Sequence, residues 1–324
     1  MDVLSNFITG CPIVYFTDDK FISPTIISIH SLLKNFVDTN IDIVVAHRGL
    51  SNSSLQDLDK FIEYWKEYKN INYQTFDVRQ LNMRWDLMQY QMDGTSPRSH
   101  FNGTEVEIMF RLWLAEFVSA SKCVYLDSDT VVVGDISSLI HIPLESDIYV
   151  RGCKTHFCSA GPSYEKWLNG REWHYVNSGV LHWNLDAIRE NNVLDRFIEE
   201  MGRNVHRHPD QDIINIVCYD NLTYIPLNYN VESIVRREWF MYHGFGGGPY
   251  NDTDFHDVFE DSKIIHYTGR SKPHYIYAHE QLTEWDRAFC KDTHPRNDDV
   301  TLYDFYVNDI LNLMDFDRNY FYTN

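Results

Sequence analysis

The sequence lacks most of the features that mark secreted and membrane-spanning proteins. Its six cysteines form no CxxC pair and no disulfide-dense pattern, which favours a reducing compartment such as the cytoplasm. No apolar run approaches the roughly 20 residues that cross a bilayer. Residues 1–16 contain no Lys or Arg, whereas a secretory leader begins with basic residues. We therefore expect a cytoplasmic protein with at most peripheral contact at the inner face of the membrane.

Positive charge is also scarce. The chain has 28 Lys and Arg residues against 47 Asp and Glu residues, a formal net charge of −19. This charge argues against binding to nucleic acid or to anionic lipid, because both are polyanions. Any polyanionic ligand would need a metal ion or a local group of cations to receive it.

Strand-like and helix-like patterns alternate through the first half of the 324 residues. The runs IVYFT (13–17), IDIVVAH (41–47) and INYQTF (71–76) predict strands, and residues 24–36 and 54–68 predict the helices between them. This alternation is typical of an α/β protein with a mostly parallel sheet, in which ligands gather at the carboxyl ends of the strands. The hydrophobic content of 44% is ample for a large core.

The segment TEVEIMFRLWLAEF (104–117) predicts a strongly amphipathic helix. Thr104 and Glu107 match a capping box at its start. Its apolar stripe with i, i+3 and i+4 spacing consists of Val106, Met109, Phe110, Trp113, Leu114 and Phe117. Arg111 lies off that stripe, so core packing does not explain why a cation stands there.

The segment KCVYLDSDTVVVGD (122–135) places two carboxylates directly after a strand-like run. Because side chains alternate along a strand, Asp127 and Asp129 project to one side and Ser128 faces away. Burying an unpaired carboxylate costs several kcal/mol or more. The two acids therefore either stay wet in an Asx turn or share a hard cation such as magnesium, manganese or calcium. These residues alone do not choose between the two.

Four further segments accompany FRLWLAEF and VYLDSD. They are IVYFTDDKFISPTIISIHSLL near the start, YVNSGVLHWNL (175–185), PDQDIIN (209–215) and IIHYTGRSKPH (264–274). In this order and spacing the segments resemble glycosyltransferase family 8, the retaining enzymes that include bacterial lipopolysaccharide galactosyl- and glucosyltransferases and glycogenin. The resemblance implies a GT-A fold over residues 12–285, with a Rossmann-like, mostly parallel sheet flanked by helices. We expect an acidic, aromatic, helical C-terminal extension over residues 286–324.

The resemblance also implies a metal site and a diphosphate site. It assigns Asp127 and Asp129 to the family's D-x-D motif and makes His266, in H-x-x-G-x-x-K-P, the third protein ligand. Two carboxylates and an imidazole suit Mn²⁺, with Mg²⁺ as the alternative. Gly269 would let the backbone approach the diphosphate, and Lys272 would supply a positive charge to it.

Further residues match positions that hold the sugar-nucleotide donor in the family. Asp18 matches an aspartate that accepts a hydrogen bond from uracil, and Arg111 an arginine near the donor sugar and phosphates. Asn177 matches an asparagine that contacts the donor sugar. We also expect Ser128, the middle residue of the D-x-D motif, to contact the donor. Gly179 is interpreted as a position that permits tight packing.

Asp210 and Gln211 match a pair that lies at the reacting sugar, and PDQD is at the same time a good helix start. The chain departs from the family at two positions. Lys20 stands where Asn is common, which weakens a ribose or base contact there. His274 stands where Trp is common, so the acceptor side is expected to differ.

The resulting hypothesis is a retaining, Mn²⁺-dependent hexosyltransferase. It would move galactose or glucose from a UDP-sugar to a hydroxyl of a glycan or glycolipid, forming an α-linkage, without binding nucleic acid. Whether it oligomerises is left open, as is the role of a predicted mobile loop over residues 241–252. Two alternatives are a haloacid-dehalogenase-type phosphatase, whose pattern VYLDSDT fits with Asp127 as nucleophile, and a non-catalytic nucleotide-sugar-binding protein.

Overall fold

The computed structural model describes residues 4–94, 106–155, 174–232, 261–268 and 298–321. The strands are β1 (Ile13–Thr17), β2 (Asn40–His47), β3 (Asn70–Asp77), β4 (Lys122–Leu126), β5 (Thr130–Val132), β6 (Val150–Lys154), β7 (Val176–Asn184), β8 (Leu222–Tyr224), β9 (Val231–Glu232) and β10 (Ile264–His266). The α-helices are α1 (Ile22–Asn35), α2 (Asn52–Trp65), α3 (Trp85–Gly94), α4 (Leu114–Phe117), α5 (Ser137–Ile140), α6 (Leu185–Glu190), α7 (Val193–Arg203), α8 (Pro209–Val217) and α9 (Asp298–Leu313). The 3₁₀ helices are Val78–Gln80, Val106–Trp113, Tyr219–Asn221, Leu227–Tyr229 and Arg318–Phe321.

Seven of these strands form one sheet, in the order β3-β2-β1-β4-β7-β6-β8. The strands β3, β2, β1 and β4 are parallel neighbours, and β8 is parallel to β6. In the described sheet, β7 alone runs the other way, since it pairs antiparallel with both β4 and β6. The strand order reverses between β1 and β4, and such a switch point is where open α/β sheets form their ligand crevice. The predicted fold class is confirmed.

A smaller sheet, in the order β5-β10-β9, extends from the end of β4. In it β10 pairs antiparallel with β5 and parallel with β9. The register places His266 opposite Thr130 on one side and opposite Glu232 on the other. A residue more than 130 positions away in sequence is therefore held beside the turn that follows β4.

Two apolar layers cover the faces of the large sheet. Strand β1 shows the alternation that produces them, because Ile13 and Tyr15 belong to one layer while Val14 and Phe16 belong to the other. Helices α1, α2 and α9 cover the first face. The 106–117 segment, α7 and α8 cover the second face. Buried side chains on both sides of each strand are typical of parallel sheets.

The prediction of an α-helix over residues 104–117 was wrong in its winding. Residues 106–113 form a 3₁₀ helix and only Leu114–Phe117 is α-helical, while Thr104 lies outside the described residues. The six residues of the predicted apolar stripe are all buried, but so are Arg111 and Leu112. With burial on nearly every side, tertiary contacts override the winding that the amphipathic pattern predicts.

The predicted helical element near the C-terminus is α9, which packs against α1. Its side chains Tyr303, Tyr306, Val307 and Ile310 belong to the same apolar layer as α1 and α2. The side-chain amide of Asn35 donates to the Tyr306 hydroxyl over 2.9 Å. Across the described ranges, we find no helix with both the length and the apolar character that a bilayer crossing requires.

A buried histidine links α1, α2 and α9. His30 has 0% of its surface exposed. Its Nδ1 accepts from the Trp65 indole N–H at 3.3 Å, and its Nε2 lies 2.8 Å from Asp309 Oδ2. These two contacts require a neutral ring with the proton on Nε2. Burial lowers the pKa of His30, although the bond to Asp309 opposes the effect, and Asp309 also accepts from Lys34.

We predict that acid weakens the packing of α9 through His30. Because its folded-state pKa lies below the ordinary value, the neutral ring stabilises the fold above the unfolded-state pKa of about 6.5, and this contribution is lost as pH falls below it. His30→Gln keeps a neutral donor and acceptor and should cost about 1 kcal/mol at pH 7. Its free energy of unfolding, measured in urea, should fall less between pH 7 and pH 5 than that of the wild type.

The matched control is His141→Gln, because His141 is exposed and pairs with the partly exposed Asp38. The change in pH dependence relative to the wild type should be larger for His30→Gln than for His141→Gln. An unchanged pH dependence in His30→Gln would show that His30 is not the titrating group.

Candidate active site

The candidate site lies at the carboxyl ends of β1 and β4. Asp18 follows β1 and Asp127 follows β4. Because β7 is antiparallel to β4, its beginning lies at this same edge, and the Asp127 N–H donates to the Gly179 carbonyl over 2.8 Å. The small sheet adds His266 from β10. Sequence segments far apart in the chain therefore meet at one edge of the large sheet.

Asp127, Asp129 and His266, referred to here as the metal triad, converge on one point. Each offers a ligand atom, and these atoms all lie within 4.8 Å of one another. His266 Nε2 lies 3.3 Å from Asp129 Oδ1 and 3.6 Å from Asp127 Oδ2. Burial acts to lower the pKa of His266, but the carboxylates of Asp129, Asp127 and Glu232 together outweigh it and raise the pKa overall. The donor set fits a divalent cation such as Mn²⁺.

Gly179 makes room for the triad. A Cβ atom at this position would lie 2.1 Å from His266 Cε1 and 2.8 Å from Asp127 Oδ2. Any side chain would therefore displace two of the three candidate ligands. The interpretation of Gly179 as a tight-packing position is confirmed, and the atoms packed against it belong to the triad.

Arg111 lies buried between two carboxylates. Its Nη2 is 2.8 Å from Asp127 Oδ1, its Nε is 3.2 Å from Asp210 Oδ2, and its Nη1 donates to the Ser178 carbonyl over 2.6 Å. Its guanidinium also lies over the ring of Tyr125, 4.4 Å from the centroid. Burial opposes the charge, but Asp127 and Tyr125 raise the pKa of Arg111 above its ordinary value, so the side chain stays a cation.

The two oxygens of Asp127 have separate contacts. Oδ1 accepts from Arg111 and from the Tyr125 hydroxyl over 2.8 Å and 2.6 Å. Oδ2 is the oxygen that faces His266. The arrangement orients the carboxylate so that one oxygen is directed into the triad. Strand period alone could have indicated Tyr125, because it stands two residues before Asp127 and on the same side.

Asp210 and Gln211 lie in the first turn of α8, as PDQD predicts. Asp210 is 5% exposed and accepts from the Ser178 hydroxyl over 2.8 Å. Burial raises the pKa of Asp210, and the positive charge of Arg111 offsets part of that effect. Gln211 Oε1 accepts from the Ser178 N–H over 3.0 Å and from Asn177 Nδ2 over 3.1 Å, and its Nε2 donates to the Tyr175 hydroxyl over 2.9 Å.

Asp18 has one carboxylate oxygen bound to backbone N–H groups, whereas the hydroxyl of Ser128 is bound on the side away from the triad. Asp18 is partly buried, and its Oδ1 accepts from the N–H groups of Lys20 and Phe21, each over 2.8 Å. The structure gives Oδ2 no hydrogen bond within the described ranges. The Ser128 hydroxyl donates to the Phe16 carbonyl over 2.7 Å and accepts from Thr25 over 2.9 Å. Ser128 therefore faces away from the triad, as the strand period predicts.

Several residues named from the sequence lie outside the described part of the chain. They are Gly269, Lys272, His274 and the 241–252 segment. Other residues at the site were missed. Asn230 and Glu232, both buried, contact the triad or Asn177, and Tyr175 contacts Gln211. Their local sequence carries no signal, because they reach the site only through the pairing of β9 with β10 and the packing of α8 on β7.

In comparisons with known proteins, the chain matches a glycosyltransferase family model and is similar to curated glycosyltransferases. The family model described as glycosyl transferase family 8 matches residues 12–275. The chain is 25% identical over 182 residues to the lipopolysaccharide 1,2-glucosyltransferase of Escherichia coli K12, covering 52% of this chain and 49% of that protein. It is 27% identical over 216 residues to the lipopolysaccharide glucosyltransferase WaaO of the same strain, covering 63% and 60%. The matches thus span about half the length of these curated relatives.

Solved structures with little sequence identity share the fold. The galactosyltransferase LgtC, solved in complex with donor and acceptor sugar analogues, superposes with a TM-score of 0.62 at 20% identity, covering 88% of this chain and 95% of that chain. The bifunctional glycosyltransferase WbbM gives a TM-score of 0.65 at 21% identity, covering 90% and 53%.

We predict that Gly179→Ala impairs metal binding. The added methyl group would push the His266 ring away from the two carboxylates. The affinity for Mn²⁺, measured by electron paramagnetic resonance of the free ion, should fall at least ~10-fold. Loss of a residue that hydrogen-bonds a metal ligand has an effect of this size. Gly202→Ala is the control, since its Cβ would meet only Leu87 Cδ2 at 3.9 Å. Wild-type Mn²⁺ affinity in Gly179→Ala would contradict the site.

Proposed function

The chain belongs to glycosyl transferase family 8, and on that premise we propose that it transfers a hexose, galactose or glucose, from a UDP-sugar to a hydroxyl of an acceptor sugar. The metal triad would bind Mn²⁺, with Mg²⁺ as the alternative, and the acceptor would be a glycan or glycolipid. One observation carries the proposal. Arg111 pairs with Asp127 of the triad and with Asp210, so the groups for the diphosphate and those for the reacting sugar share one buried guanidinium.

The charge of the donor explains why these groups are needed. A bound divalent cation would supply Lewis-acid stabilisation of the departing diphosphate. Arg111 keeps its positive charge at the site and orients Asp127. The family motif adds Lys272 as a second cation and Gly269 as a point of close backbone approach. In a chain with a net charge of −19, these local positive charges are what would make a dianionic leaving group acceptable.

The remaining donor contacts follow from the side chains that the site orients. Asp18 Oδ2 would accept from the uracil ring, because Oδ1 already accepts from two backbone N–H groups. Asn177 would contact the donor sugar from the start of β7. Ser128 would contribute its backbone, because its hydroxyl is bonded to Phe16 and Thr25.

We propose that the transfer proceeds with retention and by front-face attack. In a double displacement Gln211 matches the nucleophile position, but its oxygen already accepts from Ser178 and Asn177, and an amide is a poor nucleophile. The adjacent Asp210 is bound to Arg111 and Ser178. In front-face attack the acceptor oxygen bonds to the anomeric carbon on the side from which UDP leaves. The bond from that carbon to the phosphate oxygen breaks, and a phosphate oxygen takes the hydroxyl proton. Gln211 and Asp210 would stabilise the positive charge on the sugar.

Two alternatives are separated from this proposal by specific observations. A phosphatase would need Asp127 as nucleophile, yet one of its oxygens is held by Arg111 and Tyr125. The matched family model, which spans the VYLDSDT segment, is that of a glycosyltransferase. A non-catalytic nucleotide-sugar-binding protein would bind UDP-sugars without turnover, so a turnover assay distinguishes it.

We predict slow, Mn²⁺-dependent hydrolysis of a UDP-hexose without any acceptor. A panel containing UDP-galactose and UDP-glucose should identify one preferred donor through release of UDP. Asp129→Asn should weaken UDP binding in Mn²⁺ by roughly 10- to 100-fold or more. The loss of a residue that merely hydrogen-bonds a metal ligand already has an effect of that size, and Asp129 would be a ligand itself. The control Asp195→Asn removes the same charge from an exposed position on α7 and should bind as the wild type does. Hydrolysis that persists with a chelator, or unchanged UDP affinity in Asp129→Asn, would contradict the proposal.

We also predict that Gln211→Ala lowers turnover without abolishing it. The loss should be roughly 10- to 1000-fold, as expected for one group that stabilises transition-state charge. Gln80→Ala, at an exposed position, is the matched control. The product of the wild type, examined by NMR, should be α-linked. A β-linked product would overturn retention, and a trapped glycosyl adduct on Asp210 or Gln211 would overturn front-face attack alone.

A further inference from the structure

His266 can serve as a ligand only with the correct ring nitrogen deprotonated. Its Nε2 is the atom that faces Asp127 and Asp129, so the proton of the metal-bound ring must lie on Nδ1. An imidazole does not make that choice alone, and the hydrogen bond at the other nitrogen decides it. In this protein the other nitrogen, Nδ1, lies 3.0 Å from the side chain of Asn230, which is 0% exposed.

The backbone determines which way the Asn230 amide points. The Gly179 N–H can only donate, and it lies 2.8 Å from Asn177 Oδ1, so that atom is an oxygen. Asn230 Nδ2 lies 2.9 Å from the same oxygen and must be the amino group. The other end of the Asn230 amide is therefore its oxygen. Because an oxygen faces His266 Nδ1, that nitrogen must carry the hydrogen.

A second backbone amide gives the same orientation independently. The Ser178 N–H lies 3.0 Å from Gln211 Oε1, so that atom is an oxygen. Asn177 Nδ2 lies 3.1 Å from this oxygen and 3.2 Å from Glu232 Oε2. Because both partners are acceptors, Asn177 Nδ2 must be the amino group. The Asn177 oxygen must then be the atom that faces Gly179 and Asn230. Amide orientations are ordinarily ambiguous, but two fixed donors remove the ambiguity here.

We propose that Asn230 is a positioning residue that holds His266 in its Nδ1–H form and presents Nε2 to the metal ion. Its own orientation is set by the Asn177–Gly179 segment at the start of β7. The same segment orients Gln211, so the metal triad and the pair at the reacting sugar are aligned by one piece of backbone. The inference rests on the proposed metal site and adds to it a residue that no part of the family motif includes.

The test measures binding of metal ions alone to the full chain. Asn230→Leu removes the acceptor with little change in volume and should weaken Mn²⁺ binding roughly 10- to 100-fold. Asn230→Asp keeps an oxygen opposite His266 Nδ1 but loses the donor to Asn177 Oδ1, so it should retain more Mn²⁺ affinity than Asn230→Leu and less than the wild type. Asn184→Leu is the matched control, because Asn184 is a buried asparagine (3% exposed) at the opposite end of β7. It should lose stability but keep the Mn²⁺ affinity of the wild type.

A spectroscopic readout is independent of folding effects in the variants. In wild-type protein with ¹⁵N-labelled histidine and bound Cd²⁺, His266 should show a protonated Nδ1 and a scalar coupling between ¹¹³Cd and Nε2. Coordination through Nδ1, or equal Mn²⁺ affinity in the wild type and Asn230→Leu, would overturn the inference while leaving the metal site in place. Two other outcomes would instead overturn the proposed function. One is that the wild-type protein binds neither Mn²⁺ nor Cd²⁺, and the other is that Asp129→Asn binds these ions as tightly as the wild type does.

Discussion

The ion pairs of Arg111 with Asp127 and Asp210 are the interaction on which the polar centre of this protein depends. A buried carboxylate without a partner is strongly unfavourable, and here the buried Asp210 and the partly buried Asp127 both pair with Arg111 at one edge of the sheet. The guanidinium suits both because its planar set of donors can reach two carboxylates and a carbonyl at once. It also leaves Asp127 Oδ2 directed toward His266, so the contacts that make burial tolerable also orient a carboxylate in the candidate cation site.

The reversed strand β7 supplies the second constraint. Its first residues lie where the carboxyl ends of the parallel strands meet, so backbone N–H groups that would normally enter a ladder face the site instead. Those of Ser178 and Gly179 donate to Gln211 and Asn177. Backbone donors cannot rotate or change protonation state, and side chains aligned by them are held more rigidly than by one another. The absence of a side chain at Gly179 is what lets the triad approach this segment.

The parts of the fold that local patterns control could be predicted from the sequence. The runs at 13–17, 41–47 and 71–76 became parallel strands, and the two acids after β4 lie at the sheet edge where the α/β pattern places ligands. Arg111 stood out as a cation beside an apolar stripe. The winding of the 106–113 segment was not predictable, because burial on nearly all sides decides it. Nor was Asn230, whose role depends on the pairing of β9 with β10 and on a backbone amide about 50 residues earlier in the chain.

We propose that Asp127, Asp129 and His266 hold a divalent cation that receives the diphosphate of a UDP-sugar. Anomalous diffraction at the manganese edge, from crystals grown with Mn²⁺ and UDP, would locate the ion. We expect one strong peak for an ion coordinated by Asp127 Oδ2, the Asp129 carboxylate and His266 Nε2, with diphosphate oxygens as its further ligands. UDP bound with no manganese at these three residues, or manganese coordinated elsewhere in the chain, would contradict it.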